Sequence, residues 1–219
     1  MNKNIHAAIS ADVVSSSSIP REEWIELVAK IKELLLILEK RYSGFWGRVV
    51  KGDSIECILN CPNDAFEVAI IIKAFVKAFS PENATKQSKI SKFGVRIAIG
   101  VGEMKTIDRT LDIMDGDAIY RSGRSLNNWT GWSKYAFVVS MSNGNKQKVC
   151  QLMMSLINHN INAATPRQCE TLYHQLMEGN EKLVAEKMGI KFQGVYKNLG
   201  TIGWSHIDDV LQYIKSIKF

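Results

Sequence analysis

Cysteine is scarce in this chain, and its placement suits neither a disulfide framework nor a zinc site. The 219 residues include four cysteines, Cys57, Cys61, Cys150 and Cys169, and none forms a C-x-x-C pair. Four histidines, His6, His159, His174 and His206, are scattered and complete no ligand pattern, so they read as solvated or hydrogen-bonded side chains. A stapled secreted scaffold is excluded, and a reduced, cytoplasmic protein is expected. Long apolar runs are also missing. Ile31–Leu38 is interrupted by Lys32 and Glu33, and nothing approaches the ~18 apolar residues that cross a bilayer, so no membrane partner is expected. The start, MNKNIHAAISAD, is broken by Asn, His and Asp and makes no signal-peptide core. There is no internal repeat, and the serine run at 15–18 is too short to be a low-complexity segment.

Strong charge of one sign is absent as well. Lys and Arg number 28 against 22 Asp and Glu, a net charge of +6. This permits phosphate contacts without demanding them. Residues 141–219 hold nine basic and six acidic side chains, so positive charge is densest at that end. With 46% hydrophobic residues, the chain can bury a sizeable core as one medium domain plus a small appendage.

What is present reads as alternating strands and helices. Residues 5–14 (IHAAISADVV) form an apolar, β-branched strand that ends at a serine-rich turn. Pro20 opens a helix in which Trp24, Leu27, Val28, Ile31, Leu34, Leu35 and Leu38 recur at helical spacing, ending near Arg41. Strands at 45–51 and 54–60 flank Gly52-Asp53, a tight hairpin turn. Pro62 and Asp64 start a helix to about Phe79. A polar loop follows at 80–92, then a strand at 93–102, a short excursion, a helix near 117–129 and a strand at 135–140. The order β-α-β-β-α-β-α-β matches a ferredoxin-like sheet with an extra edge strand, its helices on one face. An amphipathic helix carries Val149, Leu152, Met153, Leu156 and Ile157, and Asn158–Asn162 read as its end and a linker. Thr165, Pro166 and Gln168 form a helix-opening capping box, and Gly179 closes that helix. Further helices are expected at 181–188, 191–199 and 205–217. Trp129 and Trp132 suit core or rim packing, or an anchor for a partner.

Three residues carry candidate chemistry. Asp12 ends the first strand, Asp53 sits in the hairpin turn, and Arg124 follows Asp115-Gly116-Asp117 on a helix. Neighbouring strands would set the two aspartates on one rim, where a divalent cation relieves their repulsion. Oxygen ligands of this kind suit Mg²⁺ or Mn²⁺, with phosphate oxygens and water completing the shell. Arg124 would stabilise charge on a transferring phosphoryl group. Turn and cap chemistry explains the same aspartates equally well, and Arg124 could simply pair with Asp115 or Asp117.

The C-terminal run EKLVAEKMGIKFQGVYKNL, residues 181–199, has the spacing of a helix-turn-helix. Ala185 lets two helices approach, Gly189 permits a left-handed turn, and Val195 anchors the following helix. Lys191, Gln193, Tyr196, Lys197 and Asn198 are spaced to face outward, where Gln and Asn can read adenine and Lys can contact guanine or phosphate. Duplex DNA is the expected partner. The competing reading is a trihelical packing module that never touches DNA, since Gly194 costs a recognition helix about 1 kcal/mol and offers a base no side chain.

Over residues 5–140 the chain resembles the class III nucleotide cyclase catalytic domain. ISADVV resembles that family's first metal-aspartate strand, VVKGDSIECIL its Gly-Asp hairpin, VRIAIGVGE its R-I-G-I-x-x-G-E strand, and GDAIYRSGR its G-x-x-V-N-x-A-x-R helix start. The resemblance implies a catalytic site shared between two subunits, hence a homodimer with a nucleotide ligand. It also places Tyr120 at the ribose-positioning Asn, and Val49 and Ile113 at the purine-selecting pair, so base recognition is missing. The whole chain is similar to the SatD family, through ISADVVSSS, the KGDS turn, RIAIGVGE, DGDAIYRSGRSL and VYKNLGTIGWSHIDDVLQYI. That resemblance implies a cyclase-like domain joined to a helix-turn-helix.

The expected fold class is α+β: a ferredoxin-like, nucleotide-cyclase-like antiparallel sheet domain at 1–142, a connecting helix and linker at 143–164, and an all-α helix-turn-helix domain at 165–219. The expected function is a DNA-binding transcriptional regulator whose front domain senses a ligand or dimerises. Two alternatives stand beside it. One is a divalent-metal-dependent enzyme that binds or cyclises nucleotides; the other is a dimerisation module without catalysis.

Overall fold

The computed structural model describes residues 4–50, 52–82, 93–131 and 135–219. The expected loop at 80–92 falls largely outside them, and Trp132 wholly so. The front of the chain comprises β1 (Ile5–Val13), α1 (Arg21–Arg41), β2 (Trp46–Val50), β3 (Ser54–Leu59), α2 (Asp64–Ala78), β4 (Val95–Asp108), β5 (Ile113–Gly116), α3 (Asp117–Asn127) and β6 (Phe137–Met141). The strands pair antiparallel in the order β2-β3-β1-β4-β5, and β6 adds to β4 in parallel.

Strand pleating divides β1 between two environments. Ala7, Ile9, Ala11 and Val13 enter the main core, where they meet Leu27, Ile31, Leu34 and Leu38 of α1 and the apolar body of α2. Ala8, Ser10 and Asp12 face the other way. There Ala8 joins Trp46, Ile58 and Ala118 in a smaller cluster under α3. Helices therefore cover both faces of the sheet, not one as the sequence suggested. Gly100 is what permits α3 to lie so close: a Cβ there would stand 2.2 Å from the Ala118 carbonyl oxygen and 2.5 Å from the Ser122 nitrogen. Ser10 Oγ and Ser122 Oγ share a 2.8 Å hydrogen bond across this contact.

Two stretches differ from expectation. The excursion after residue 102 is the continuation of β4 to Asp108 and its return as β5, with an irregularity between Met104 and Thr106. Met104 and Met114 are its only apolar side chains packed, partly buried, against the Ala8 cluster, too few to make the alternation that would have marked a strand. Likewise, α4 (Gly144–Ala163) continues through the expected linker at 158–162, because Ile161 is fully buried and Asn158 nearly so.

The rest is helical: α5 (Pro166–Glu178), α6 (Glu181–Met188), α7 (Phe192–Ile202) and α8 (Trp204–Ser216). The Thr165–Gln168 capping box forms, and Gly179 and Gly189 adopt left-handed conformations with φ of 65° and 60°. Val184, Met188, Val195 and Leu199 pack together as a small cluster of their own. In contrast, Leu172 and Leu176 of α5 and Ile207, Leu211 and Ile214 of α8 belong to the main core. Asn63 Nδ2 donates to the carbonyls of Ile214 (2.6 Å) and Ile217 (2.9 Å), and Phe219 stacks on Phe66 at 5.8 Å. One apolar interior thus runs across the expected boundary at 165.

Lys73 is embedded in that interior. Its Nζ donates to the carbonyls of Val95 (3.0 Å) and Tyr135 (2.7 Å) and lies 5.0 Å from the Phe137 ring centroid. Burial, helped by the Lys77 charge and opposed by Cys169, lowers its pKa from 10.5 to about 7. Above that value the folded amine is neutral while the unfolded chain still binds the proton, so stability rises with pH until the unfolded value is reached. Above pH ~8.5 the buried thiols of Cys57, Cys150 and Cys169, all pushed up by burial, act the opposite way. Urea unfolding between about pH 7 and 8.5 should therefore show stability increasing by up to ~1.4 kcal/mol per unit. In Lys73→Met that slope should fall to the part that Lys77, lowered in the same direction by burial, contributes.

Candidate functional site

β1 ends at Val13, and the chain then turns through Ser15, whose φ of 58° is left-handed, into a short 3₁₀ turn at Ser16–Ser18. Val13 N donates to the Asp53 carbonyl (3.1 Å) and Val14 N to the Gly94 carbonyl (2.9 Å), so three segments meet at this rim. The hairpin turn is made by Gly52, with φ of 86°. In the sheet register Asp12 stands between Ser54 on β3 and Arg96 on β4. Directly opposed residues share a face, so all three side chains point away from α1 and α2.

The polar contacts follow from that placement. Ser54 Oγ donates to Asp12 Oδ1 at 2.7 Å, and Arg96 Nη2 lies 3.4 Å from Asp12 Oδ2. Ser16 Oγ donates to Asp53 Oδ2 at 2.9 Å. Both aspartates, Arg96 and the Ser15–Ser17 loop line a cleft of about 430 Å³. Arg96 Nε is buried without a hydrogen-bond partner among the described residues. A second hollow of about 380 Å³ shares Ser16, Ser17 and Asp53 with the first and is walled by Arg21 and Trp24.

The donor set fits Mg²⁺ or Mn²⁺. Two carboxylates and neighbouring hydroxyls are hard oxygen ligands, and among the described residues Asp12 Oδ2 is held by the long contact to Arg96. Among the described residues no group of three or more His, Cys, Asp or Glu is placed to hold a metal ion by itself. A cation here would take its remaining ligands from water and phosphate, as Mg²⁺ habitually does.

Arg124 lies elsewhere. Ser122 faces the sheet, and two residues further along an α-helix is a rotation of about 200°, so Arg124 points outward. Its guanidinium lies 5.6 Å from the Tyr120 ring centroid. It pairs with neither Asp115 nor Asp117: Tyr120 Oη donates to Asp115, and Arg121 Nε pairs with Asp117 at 2.5 Å. Within one chain the fold brings Asp12 and Asp53 together but leaves Arg124 outside their cleft. Val49 lies opposite Ile55 in the β2–β3 pair, and Ile113 and Tyr120 are exposed.

Arg96 is the residue that sequence reasoning missed. Its signal was the first letter of RIAIG, but its relation to Asp12 is a pairing across 84 positions.

Lys191 at the N-cap of α7 and Gln193, Tyr196 and Lys197 on it are exposed, with Tyr196 at 66% and its ring 5.8 Å from that of Phe192. Asn198 is placed differently from its neighbours: it is half-buried, and its Nδ2 donates to Thr171 Oγ1 on α5 at 2.9 Å. That amide spends a donor on helix packing.

No family model and no curated protein matches the chain. Among solved structures it is similar to the monomeric guanylyl cyclase domain of the RhoGC fusion protein from the aquatic fungus Blastocladiella emersonii. Identity is 15% and the TM-score 0.49, over 63% of this chain and 81% of that one. It is also similar to the catalytic core of a rhodopsin-guanylyl cyclase with converted specificity in complex with ATPαS, at 16% identity and a TM-score of 0.47, over 63% and 78% of the two chains. A bacterial light-regulated adenylyl cyclase is similar at 15% identity and a TM-score of 0.44, over 69% and 81%. Among the described residues no helix is long and apolar enough to cross a membrane.

Proposed function

We propose that this chain binds a nucleoside triphosphate together with Mg²⁺ or Mn²⁺ in the cleft at Asp12 and Asp53. The observation that carries the reading is the meeting of both carboxylates, Arg96 and a serine loop in one open cleft. Asp12 and Asp53 would hold the cation, which neutralises phosphate charge when bound. Arg96 would swing its guanidinium from its long contact with Asp12 to a phosphate, a bidentate partner for which it is well shaped. Ser17 would donate to a phosphate oxygen while Ser16 holds Asp53, and the hollow at Trp24 and Arg21 offers room for the rest of the nucleotide. The β2-β3-β1-β4 order supports a ferredoxin-like, cyclase-like reading of residues 1–142. The outward position of Arg124 supports a homodimer, since a site that uses it must draw it from a second copy. With Val49 and Ile113 at the base-selecting positions, discrimination among bases is expected to be weak. Each of the four triphosphates with Mn²⁺ should raise the melting temperature by a similar amount, and mass analysis of the mixtures reports any product. No shift with any of them would end this reading.

A second reading rests on α7. Lys191, Gln193, Tyr196 and Lys197 share an exposed surface while Val195 and Leu199 hold the helix down. Residues 165–219 would then be a helix-turn-helix module, joined by 143–164, that contacts duplex DNA. In a gel shift, Lys191→Ala with Lys197→Ala should weaken binding and lower the salt slope by about one per lost phosphate contact. Unchanged retention would count against it. The free thiols of all four cysteines suit a reducing, cytoplasmic setting.

A further inference from the structure

Val195, Leu199 and Ile202 are the buried residues of α7, and they seat it against α6 and the main core. At about 100° per residue, Phe192, Tyr196, Gly200, Gln193 and Lys197 follow one another around the other side over an arc of about 140°. All five are exposed. The two rings stand one turn apart, with centroids separated by 5.8 Å. Gly200 leaves the middle of the arc bare, since a Cβ there would meet nothing within 4 Å. Lys191 at the N-cap and Lys197 bracket the rings, and residues 191–202 contain no Asp or Glu.

Exposed rings grouped in this way mark a contact surface. Lysine is depleted from protein–protein contacts, so its place at both ends of the ring pair favours a partner that carries phosphates. In a major groove the thymine C5-methyl is the apolar group that a ring can cover, and a glutamine amide pairs with N6 and N7 of adenine. Asn198 is held by Thr171, so Gln193 is the amide of α7 left for a base. A recognition helix meets base edges through its N-terminal turns, where Phe192, Gln193 and Tyr196 stand.

We propose that α7 reads A·T pairs through the thymine methyl group. Phe192 and Tyr196 cover C5-methyl groups, Gln193 pairs with a neighbouring adenine, and Lys191 and Lys197 hold the flanking phosphates. This rests on the helix-turn-helix reading of residues 165–219 and adds the base pairs that such a module prefers.

Fluorescence anisotropy of the full chain tests it against three duplexes at one salt concentration: alternating A·T, the same duplex with deoxyuridine in place of thymidine, and alternating G·C. Deoxyuridine lacks the methyl and keeps the same groove donors and acceptors. The A·T duplex should bind about fourfold more tightly than the deoxyuridine duplex for each methyl covered, the worth of one buried CH₂ group. The G·C duplex should bind about tenfold or more below A·T. Phe192→Ala with Tyr196→Ala, at positions 44% and 66% exposed, should keep the melting temperature and the salt slope while removing the preference for thymidine over deoxyuridine. Tyr196→Ala alone should remove the share of one methyl. Lys191→Ala with Lys197→Ala should weaken all three duplexes in the same proportion. If no duplex binds, the helix-turn-helix reading falls and this inference with it. If the duplexes bind but thymidine and deoxyuridine are held equally by the parent, or if the aromatic variant keeps the preference, the inference alone is overturned. It is overturned as well if single-stranded oligothymidylate binds as tightly as the A·T duplex, which would make the rings a stacking platform for unpaired bases.

Discussion

Asp12→Asn is expected to weaken Mn²⁺-dependent triphosphate binding by at least ~100-fold, about 2.7 kcal/mol. The substitution removes a charge while keeping an oxygen in place, so Ser54 Oγ can still donate to it and the β1–β3 rim is retained. Its other ion-pair contact among the described residues is the 3.4 Å approach of Arg96, and a pair of that length contributes little to stability. Loss of binding with an unchanged melting temperature would therefore report the site and not the fold. Asp53→Asn should behave alike, since Ser16 can still donate to the retained oxygen. Arg96→Ala separates the two ligands: it should weaken the triphosphate but leave a protein that still responds to Mn²⁺ alone. Titration of the three variants by fluorescence or calorimetry checks this. If Asp12→Asn binds as the parent does, the carboxylates are turn and cap residues and the nucleotide reading is wrong.

The second large effect is expected at Gly100. A methyl group there meets the backbone of α3 at 2.2 and 2.5 Å, and backbone cannot rotate out of the way as a flexible side chain would. α3 must lift, which strains the Ser10–Ser122 hydrogen bond and opens the packing of Ala8 and Ile58 on Ala118. Gly100→Ala should cost on the order of 3 kcal/mol, which for a chain of this size lowers the melting temperature by roughly 6–12 °C. Gly123 supplies the control. It lies within the same helix, a Cβ there meets nothing within 4 Å, and Gly123→Ala should hold or raise stability by up to ~1 kcal/mol. Thermal melts of the two variants side by side decide the matter. A Gly100→Ala protein that melts with the parent would mean that α3 is not seated on β4 as described.

How much of this could be read in the chain depends on how local each signal was. The apolar spacing of Leu27, Ile31, Leu34 and Leu38, the Thr165 capping box and the left-handed turns at Gly179 and Gly189 are all settled within a few residues, and those elements stand where expected. The β4–β5 hairpin turns little more than Met104 and Met114 toward the interior, too short a pattern to announce it. Asn158 reads as a helix breaker in isolation, but burial of Ile161 carries α4 past it. The candidate cleft was half legible. Asp12 and Asp53 end adjacent strands, so their convergence follows from the topology. Arg96 joins them only through pairing with a strand far along the chain, which periodicity cannot show. The outward turn of Arg124 is set by Ala118 and Ser122, two small residues one helical turn apart that mark the face against the sheet. Asn198 had the spacing of its exposed neighbours, and only the position of Thr171 reveals that its amide is spoken for.

The way α2 is enclosed has one more consequence. It lies on the sheet on one side and against α5 and α8 on the other, with residues from Ala65 to Val76 almost all hidden from water. No swivel separates the strands from the C-terminal helices. If such chains pair about a twofold axis, the distance and angle between their two α7 helices would be dictated by the pairing itself, like the fixed gauge of a track.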